Sequence, residues 1–477
     1  MCSPRRLCWL VWACLLPWRS DALGPHEVAV LVNDASPRSL EVANHFIHLR
    51  RIPPENVIHM RLPEQAMSSD PTLTREDFAS LIWEPATRAL RERGLDDHIL
   101  AWAYSADFPV RIVGDPEVSL HGLTFVRNQL PPAEDIRKGR WASPLFAGPG
   151  ENSPRKGPTR SLEQYASYLQ TNMPLPNMMI AHTGARGQTV AGAIEAMRVV
   201  QRAEGGQPAA EVAFLLSDDV RSKARAWQYA DTAAELLSLG LKATVTSNAP
   251  DPSRRLMGLM MGAARPDPAA SGHLMPGSLA DHLTSYAAAF VRSDQGMLTA
   301  WLRAGAAASA GTVTEPYAIW SKFPHARLFA HYASGCSILE SYAQALASPL
   351  QIQLVGDPLA SPWAKPPGVT LVNLGEENTP VAGAAQFLAS TWASPFEAAP
   401  MTLFLLDGRS LNLSSTQSQI SIDTSRVPDG YHSLRVIAYT HGLVRHQGFD
   451  ERPLLVRNAG RAVRLTGLAA GGCVDLD

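Results

Sequence analysis

Apolar residues in the first part of the chain form short continuous runs that alternate with helical periods. One run covers residues 28–32 and is followed by a turn and a helical period through residues 40–50. The same pattern predicts further elements, in chain order a strand at 56–62, a helix at 74–92 and a strand at 98–104. The last strand is apolar on both faces, which is typical of a parallel sheet covered by helices. The pattern therefore predicts a first α/β half over residues 23–130.

Residues 131–174 are rich in Pro, Gly and charge, and they predict a loop-rich insertion. The alternation of strands and helices then resumes and predicts a second α/β half over residues 175–365. Its predicted strands lie at 178–182, 212–216, 241–246, 256–261, 306–313 and 351–355, and its predicted helices at 190–201, 220–239, 299–303 and 327–346. The last of these helices is long and reads as continuous.

Beyond Pro366-Pro367 the pattern changes to short alternating strands with turn dipeptides such as Asp407-Gly408 and Asp429-Gly430. This change predicts an immunoglobulin-like β-sandwich over residues 368–465, followed by a flexible tail at 466–477. We expect few contacts to cross the linker at 366–367. The predicted fold class is therefore α/β with a parallel sheet, followed by a C-terminal sandwich.

The N-terminus has the layout of a signal peptide over residues 1–22. Arg5 and Arg6 precede an apolar run at 7–16, and Ser20-Asp21-Ala22 offers small residues at the places that a signal peptidase requires. The apolar run is about half of the ~20 residues that a spanning helix needs. We therefore expect cleavage after Ala22, a periplasmic or extracellular protein, and no membrane span in the product.

Charge and cysteine content exclude some classes of partner. The formal net charge of −2 is too close to neutral for a nucleic-acid-binding surface or a membrane-surface footprint. Of the five cysteines, Cys336 and Cys473 follow the predicted signal peptide. Two cysteines in an oxidising compartment permit one disulfide, and the sequence does not decide whether it forms.

The segment Asp281-His282-Leu283-Thr284-Ser285 is the first candidate for a catalytic site. It holds an acid, an imidazole and two hydroxyls at the carboxyl end of a predicted strand, where ligands bind in parallel sheets. The segment lacks a Gly-flanked nucleophile elbow. The alternative is a turn in which Asp281, Thr284 and Ser285 cap backbone N–H groups, and the sequence favours this alternative over catalysis.

A second candidate is the turn Thr183-Gly184-Ala185-Arg186-Gly187-Gln188-Thr189, which follows a strand and opens a helix. Backbone amides around Gly184 and Gly187, the helix dipole and Arg186 are suited to hold an anion. A tight turn with Thr189 as N-cap explains the same residues without a ligand. Glu315, which follows a strand of small residues, is a third candidate as a carboxylate in a binding pocket or as a cap.

No metal site and no cofactor are predicted. Asp218 and Asp219 lie at a strand end, but no His or Cys follows at ligand spacing, and Arg221 and Lys223 are placed to neutralise them.

Five segments resemble an uncharacterised family found in bacteria that carry an exosortase sorting system. They are VLVN at 30–33, TGARG at 183–187, SDDVRSK at 217–223, PGSLADHLTS at 276–285 and VGDPL at 355–359. The order of two α/β halves and a small sandwich also resembles gingipain-type cysteine peptidases of the caspase-like fold. In that pattern one strand ends in His-Gly and the next long strand ends in the nucleophilic Cys.

This chain departs from the gingipain pattern at both strand ends. Met261-Gly262 stands where His-Gly is expected, and Leu283-Thr284-Ser285 contains no Cys. The resemblance therefore implies the scaffold without the peptidase dyad. It favours a non-peptidase binding or envelope-assembly factor whose partner is an envelope protein or a peptide. The alternative is a hydrolase of peptide or ester bonds that uses Ser285 or Thr284 with His282.

Overall fold

A computed structural model describes most of the chain, namely residues 22–67, 70–165, 174–248, 250–292, 294–372, 379–393, 398–412 and 415–459. The predicted signal peptide before Ala22, the predicted tail at 466–477 and Cys473 lie outside these residues. No helix in the described ranges is long and apolar enough to cross a membrane.

The strands β1–β20 are, in chain order, Val28–Asn33, Val57–Met60, Thr72–Leu73, Ala101–Tyr104, Arg111–Ile112, Val118–Ser119, Asn177–Met179, Glu211–Leu215, Ala243–Thr246, Arg255–Gly262, His273–Leu283, Ala308–Thr312, Ile352–Gly356, Gly368–Val372, Ala384–Trp392, Met401–Leu406, Arg409–Ser410, Gln419–Asp423, Gly430–Tyr439 and Gln447–Val456. The helices α1–α11 are Pro37–Arg50, Arg75–Phe78, Glu84–Arg93, Leu120–Phe125, Ala133–Arg137, Val190–Arg202, Val220–Lys223, Tyr229–Ser238, Leu298–Arg303, Leu328–Ala333 and Ile338–Ala345. A π-helical segment, Ala79–Trp83, joins α2 to α3.

A ten-stranded sheet forms the centre of the α/β region, in the order β2-β1-β4-β7-β13-β12-β11-β10-β8-β9. Strands β2, β1, β4, β7 and β13 are parallel to one another, and so are β12, β11, β10, β8 and β9. The two sets meet at β12 and β13, which are antiparallel. The prediction of an α/β fold with a mostly parallel sheet is confirmed, and the two predicted halves share one sheet.

Both faces of this sheet are buried, as the apolar strands predicted. All six residues of β1 are buried, and its alternate side chains enter two different hydrophobic clusters. Val28, Val30 and Val32 belong to one cluster, and Ala29 and Leu31 belong to the other. Continuous β-branched and aliphatic runs are selected at such positions because neither face of the strand contacts water.

The predicted helix at 327–346 is in fact two helices, α10 and α11. Gly335, between them, has a φ of +96°, a left-handed conformation that ends a helix at little cost only for glycine. Ser337 then begins α11 with a capping box, in which its side chain accepts the N–H of Glu340 and the Glu340 carboxylate accepts the N–H of Ser337. A helical period alone did not indicate this interruption.

Beyond the linker, the chain forms two antiparallel sheets, β14-β15-β18 and β17-β16-β19-β20. Buried residues from both sheets form one hydrophobic cluster, which includes Val369, Phe387, Phe404 and Val436. We call residues 368–456 the C-terminal β region. The antiparallel strands of this region agree with the alternating pattern beyond the linker.

The C-terminal β region is joined to the α/β region by buried polar contacts. Gln447 Nε2 donates to Glu27 Oε2 over 2.8 Å, and Arg435 Nη2 donates to the carbonyl of Arg51 over 2.7 Å. Gln447, Arg435 and Glu27 are all at least 96% buried. The expectation that few contacts cross the linker is not met, because contacts between residues this distant in sequence leave no signal in local patterning.

Candidate functional site

The carboxyl ends of β10, β11 and β12 lie side by side at one edge of the sheet. Gly262 at the end of β10 pairs with Leu283 at the end of β11, and Thr284 and Ser285 follow directly. Glu315 follows the end of β12. We call Thr284, Ser285 and Glu315 the Ser285 cluster. Because the strands are parallel neighbours, Thr284 and Ser285 reach the same edge as Glu315, which lies 30 residues beyond Ser285.

Ser285 and Glu315 form a hydrogen bond, although the sequence assigned them to different candidate sites. Ser285 Oγ donates to Glu315 Oε1 over 2.9 Å. The same oxygen accepts the backbone N–H of Tyr317 over 2.9 Å. Glu315 thus holds the hydroxyl of Ser285 and fixes the turn that carries Tyr317. Both side chains remain partly exposed, so a ligand can reach them.

Aromatic residues with unusual backbone flank this cluster. Tyr286 has a φ of +62° and Tyr317 a φ of +56°, conformations that bulky residues rarely adopt. The guanidinium of Arg292 lies 3.8 Å from the centre of the Tyr286 ring. Tyr317 is 66% exposed. Strained backbone of this kind is concentrated at ligand and active sites.

Thr284 lies in the Ser285 cluster but has different neighbours. Its buried hydroxyl donates to Gln295 Oε1 over 2.5 Å and accepts the Nε–H of Arg221 over 3.2 Å. Arg221 in turn pairs with Asp219 over 3.2 Å, and the Asp219 side chain caps α7. The neutralising role predicted for Arg221 is confirmed. The hydroxyl of Thr284 is held by its hydrogen bonds with Gln295 and Arg221.

His282 is not available to activate a hydroxyl. Its Nδ1 accepts the indole N–H of Trp301 over 2.8 Å, so the proton is on Nε2, which donates to the carbonyl of Gly296 over 3.2 Å. Burial lowers the pKa of His282 to about 4, and the hydrogen bond to Gly296 only partly opposes this. Both nitrogens of a neutral ring are therefore occupied. The structure does not bring His282 into contact with Ser285.

Asp281 lies on the other face of β11, where its carboxylate pairs with the guanidinium of Arg225. Both side chains are 1% exposed. Burial raises the pKa of Asp281, and Arg225 opposes this rise. Side chains alternate between the faces of a strand, so Asp281 and His282 point apart, and the acid, imidazole and hydroxyl of this segment do not converge.

Backbone atoms of Arg221 and Ser222 occupy the space beside the end of β10. A Cβ atom at Gly262 would lie 2.2 Å from the backbone of Arg221 and Ser222, so only glycine fits. Met261 is 7% exposed and belongs to a hydrophobic cluster with Ala280 and Trp301. A side chain at position 261 is therefore part of the core rather than of an open site.

The turn with Gly184, Arg186 and Gly187 follows β7 and contacts the segment that follows β11. The N–H of Gly187 donates to the carbonyl of Gly184 over 3.0 Å, and Thr189 caps α6 through the N–H of Gly192. Arg186 is exposed at a φ of +55°, and its carbonyl accepts from Thr299 over 2.6 Å. These contacts form a tight turn with Thr189 as the N-cap of α6.

The sequence did not single out Asp107, which follows β4 next to this turn. Its carboxylate accepts hydrogen bonds from Arg38 Nε over 2.9 Å, from Thr183 Oγ1 over 3.0 Å and from the hydroxyl of Ser36. Asp107 is 8% exposed, with a φ of +58°. The order β2-β1-β4 reverses at β1, so Asp107 lies at a switch point, where ligands bind in open parallel sheets. The signal in the sequence that could have indicated Asp107 is an acidic residue with a short side chain just after a predicted strand.

His182 adjoins this switch point. Its ring stacks on Phe290 with centroids 3.6 Å apart, and its Nε2 donates to the carbonyl of Ala185 over 3.2 Å. Burial lowers the pKa of His182 to about 4. The ring is thus a neutral support for the turn. The described residues contain no group of three or more His, Cys, Asp or Glu that could hold a metal ion.

No family model and no curated protein matches the chain. Among solved structures, the chain is similar to the CbhA fibronectin(III)-like modules of Clostridium thermocellum, with 20% identity over 26% of this chain and 60% of that chain and a TM-score of 0.18. It is also similar to an endo-beta-1,4-mannanase of Thermotoga petrophila, with 9% identity over 76% of this chain and 92% of that chain and a TM-score of 0.16. The chain spans less than two thirds of the first of these structures. Neither TM-score is high enough to support an argument about function.

Proposed function

We propose that the protein is exported and acts as a binding or envelope-assembly factor without peptidase activity, on a caspase/gingipain-like scaffold with a C-terminal immunoglobulin-like sandwich. Its partner is an envelope protein or a peptide. The proposal rests on the side chains at the ends of β10 and β11, which do not form a peptidase dyad. Met261 is packed in the core, and Ser285 donates to Glu315 rather than to an imidazole.

The adjacency of β10 and β11 supports the proposed scaffold. In the gingipain pattern, the dyad comes from two successive strands, and β10 and β11 are parallel neighbours with Met261 opposite His282. The shared core of the two C-terminal sheets supports the sandwich. Fold alone does not give function, so the assignment of a binding role rests on the chemistry at the strand ends.

The Ser285 cluster and the tyrosines beside it supply the proposed contact surface. Tyr317 is 66% exposed and is held in place by the bond from its N–H to Glu315. Tyrosine is enriched in protein interfaces because a rigid aromatic ring buries a large area and its hydroxyl still forms a hydrogen bond. Glu315 and Ser285 add an acceptor and a hydroxyl within the same surface. A polypeptide partner fits this combination.

A hydrolase is the second candidate, and the bond between Ser285 and Glu315 is the observation in its favour. A carboxylate that accepts the hydroxyl proton is a possible general base. However, a carboxylate is a weak base for a hydroxyl, and His282 cannot assist it. Peptide cleavage that is lost in Ser285→Ala would favour this candidate.

Hydrolase probes test the absence of catalysis. We expect neither a serine-directed fluorophosphonate nor a thiol-directed probe to label the mature protein at Ser285, and no turnover of Arg- or Lys-ended peptides. Ser217→Ala, just after the end of β8, which is separated from β11 by β10, is the matched control for Ser285→Ala. Labelling that Ser285→Ala abolishes and Ser217→Ala retains would overturn the proposal.

Site-specific photo-crosslinking tests the binding role. A photoreactive residue is placed at Tyr317 or, as a control, at Tyr431, which is 65% exposed in the C-terminal β region. We expect a discrete crosslinked envelope protein or peptide from position 317, and we expect Glu315→Ala to weaken it. Equal crosslinking from both positions would argue against a specific surface at the Ser285 cluster.

A further inference from the structure

A buried carboxylate without a counter-charge lies close to the end of the predicted signal peptide. Glu27 is 3% exposed, and its Oε2 accepts the N–H of Gly24 over 2.7 Å and Nε2 of Gln447 over 2.8 Å. Neither donor is charged, and no ion pair to Glu27 occurs among the described residues. Burial raises the pKa of Glu27 to about 8, although both hydrogen bonds lower it. A buried carboxylate of this kind requires a cation to remain ionised.

The amide of Gln447 supplies an acceptor beside this carboxylate. Gln447 Oε1 is buried and has no hydrogen-bond partner in the described part of the chain. A Cβ atom at Gly24 would lie 2.3 Å from this oxygen, so the oxygen packs against the backbone at position 24. A buried acceptor without a donor is costly in a folded protein. A donor group at this place would satisfy it.

The peptide bond between Ala22 and Leu23 reaches the same place. Gln447 Nε2 donates to the carbonyl of Ala22 over 2.9 Å, in addition to its bond to Glu27. Standard peptide geometry places the nitrogen of Leu23 about 2.2 Å from that carbonyl oxygen. Ala22 and Leu23 are 0% and 1% exposed. The nitrogen of Leu23 is therefore buried within a few ångströms of Gln447 and Glu27.

We propose that the α-ammonium group of Leu23, released by cleavage after Ala22, binds between the Glu27 carboxylate and Gln447 Oε1. We call Gly24, Glu27 and Gln447 the ammonium pocket. The inference rests on the proposed export. A leader peptidase adds water across the Ala22–Leu23 bond, so that Ala22 leaves with a carboxylate and Leu23 becomes an ammonium with three N–H donors.

The charges around the ammonium pocket favour a cation. Glu163 and Glu340 act on Glu27 as further negative charges. Arg445, a cation beside Tyr439, forms an ion pair with Glu163. His26, which bonds to the Tyr439 hydroxyl, has its pKa held well below its usual value by burial, and His98 and Arg435 add to this effect, so it stays neutral. The ammonium of Leu23 would supply the missing positive charge.

This contact would connect the first and last parts of the fold. Gln447 begins β20 of the C-terminal β region, whereas Leu23 and Glu27 precede β1. Cleavage would therefore complete a buried polar interface that the uncleaved chain leaves with an orphaned acceptor and an unpaired carboxylate. Processing at Ala22 and docking of the C-terminal β region would be coupled.

Amine reactivity tests the inference. The intact mass of the exported protein identifies its N-terminus, which we expect to be Leu23. Competitive acylation at pH 8 then compares the acylation rate of the Leu23 α-amine in the wild type with the rate of the same amine in the Glu27→Gln variant. We expect the variant to react at least about tenfold faster, because a buried ion pair protects an amine from acylation. Glu451→Gln, which changes another interface carboxylate on β20, should react like the wild type.

A second form of the protein keeps the test decisive if Glu27→Gln does not fold. A chain that retains Ala22, made by removal of a tag, displaces the ammonium by one residue from Glu27, and its α-amine should be acylated faster than the α-amine of the chain that begins at Leu23. An exported protein that does not begin at Leu23 would overturn both the processing and the contact. A protein that begins at Leu23 with a freely reactive amine would overturn the ammonium pocket and leave export intact.

Discussion

The partners of His282 determine what this residue does. Its two ring nitrogens are used by Trp301 and Gly296, and the ring is neutral because burial lowers its pKa to about 4. An imidazole beside two hydroxyls in sequence is the inventory of a catalytic site, yet a position on an extended strand directs it away from Ser285. Chemistry at this site therefore has to come from the Ser285 cluster alone.

The buried state of His282 predicts how stability depends on pH. The pKa of His282 in the folded state, about 4, is below the ordinary value of 6.5, so unfolding takes up a proton at pH values between the two. The stability that His282 contributes is present above pH 6.5 and is lost as the pH falls towards 4. The loss is about 3 kcal/mol. When Tm is measured against pH, the His282→Gln variant should lack part of this acid sensitivity.

His432 is the control for this measurement. Burial lowers its pKa, but hydrogen bonds to Asp407 and Pro428 outweigh burial, so the net shift is upwards. His432→Gln should therefore leave the acid sensitivity in place or increase it. Equal pH profiles for the wild type and His282→Gln would contradict the structural role of His282.

At the scale of elements, β11 carries an ion pair on one face and the imidazole on the other. Asp281 and Arg225 are buried together, and three of their atoms, Arg225 Nε, Arg225 Nη1 and Asp281 Oδ2, have no partner among the described residues. A buried pair that is incompletely hydrogen-bonded stabilises little, whereas the removal of one member leaves an unpaired charge in the core.

A double-mutant cycle tests this view of β11. Asp281→Leu alone should lower the free energy of unfolding by about 3–5 kcal/mol, because it leaves the charge of Arg225 buried without its carboxylate partner. Arg225→Met with Asp281→Leu should lower it by less than either single change. Urea denaturation of the four proteins measures the coupling. Additive losses in the double variant would show that the two residues do not act as a pair.

Elements that depend on local pattern were predicted well, and those that depend on distant contacts were not. The apolar runs at β1, β4 and β8 predicted a covered parallel sheet because burial on both faces selects such runs. The antiparallel pairing of β12 with β13 leaves no local mark in the sequence, so it was not predicted. The hydrogen bond between Ser285 and Glu315 also arises from strand order, which sequence spacing does not reveal.

At the scale of the whole molecule, the segment before β1 forms one buried polar interface with the end of β19 and the start of β20. Tyr439 bonds to His26, and Gln447 bonds to Glu27. Their separations in sequence are 413 and 420 residues, so neither contact could be predicted from a local pattern. The C-terminal β region is therefore part of the same folded unit as the N-terminal segment, and its stability should respond to changes near Leu23.

The ammonium pocket predicts that the N-terminus changes the pH dependence of the whole protein. In a chain extended before Leu23, Glu27 has no cation, and its pKa of about 8 in the folded state is above the ordinary value of 4.5. The stability that this protonated carboxyl contributes is complete below pH 4.5 and is lost as the pH rises to 8, by about 5 kcal/mol. In the chain that begins at Leu23, the ammonium keeps Glu27 ionised, and this loss should disappear. Tm measured from pH 5 to pH 8 should fall in the extended chain, stay level in the processed chain, and stay level in an extended Glu27→Gln chain. A parallel fall in the processed and extended chains would contradict the contact, since the charge of Leu23 would then have no influence on Glu27.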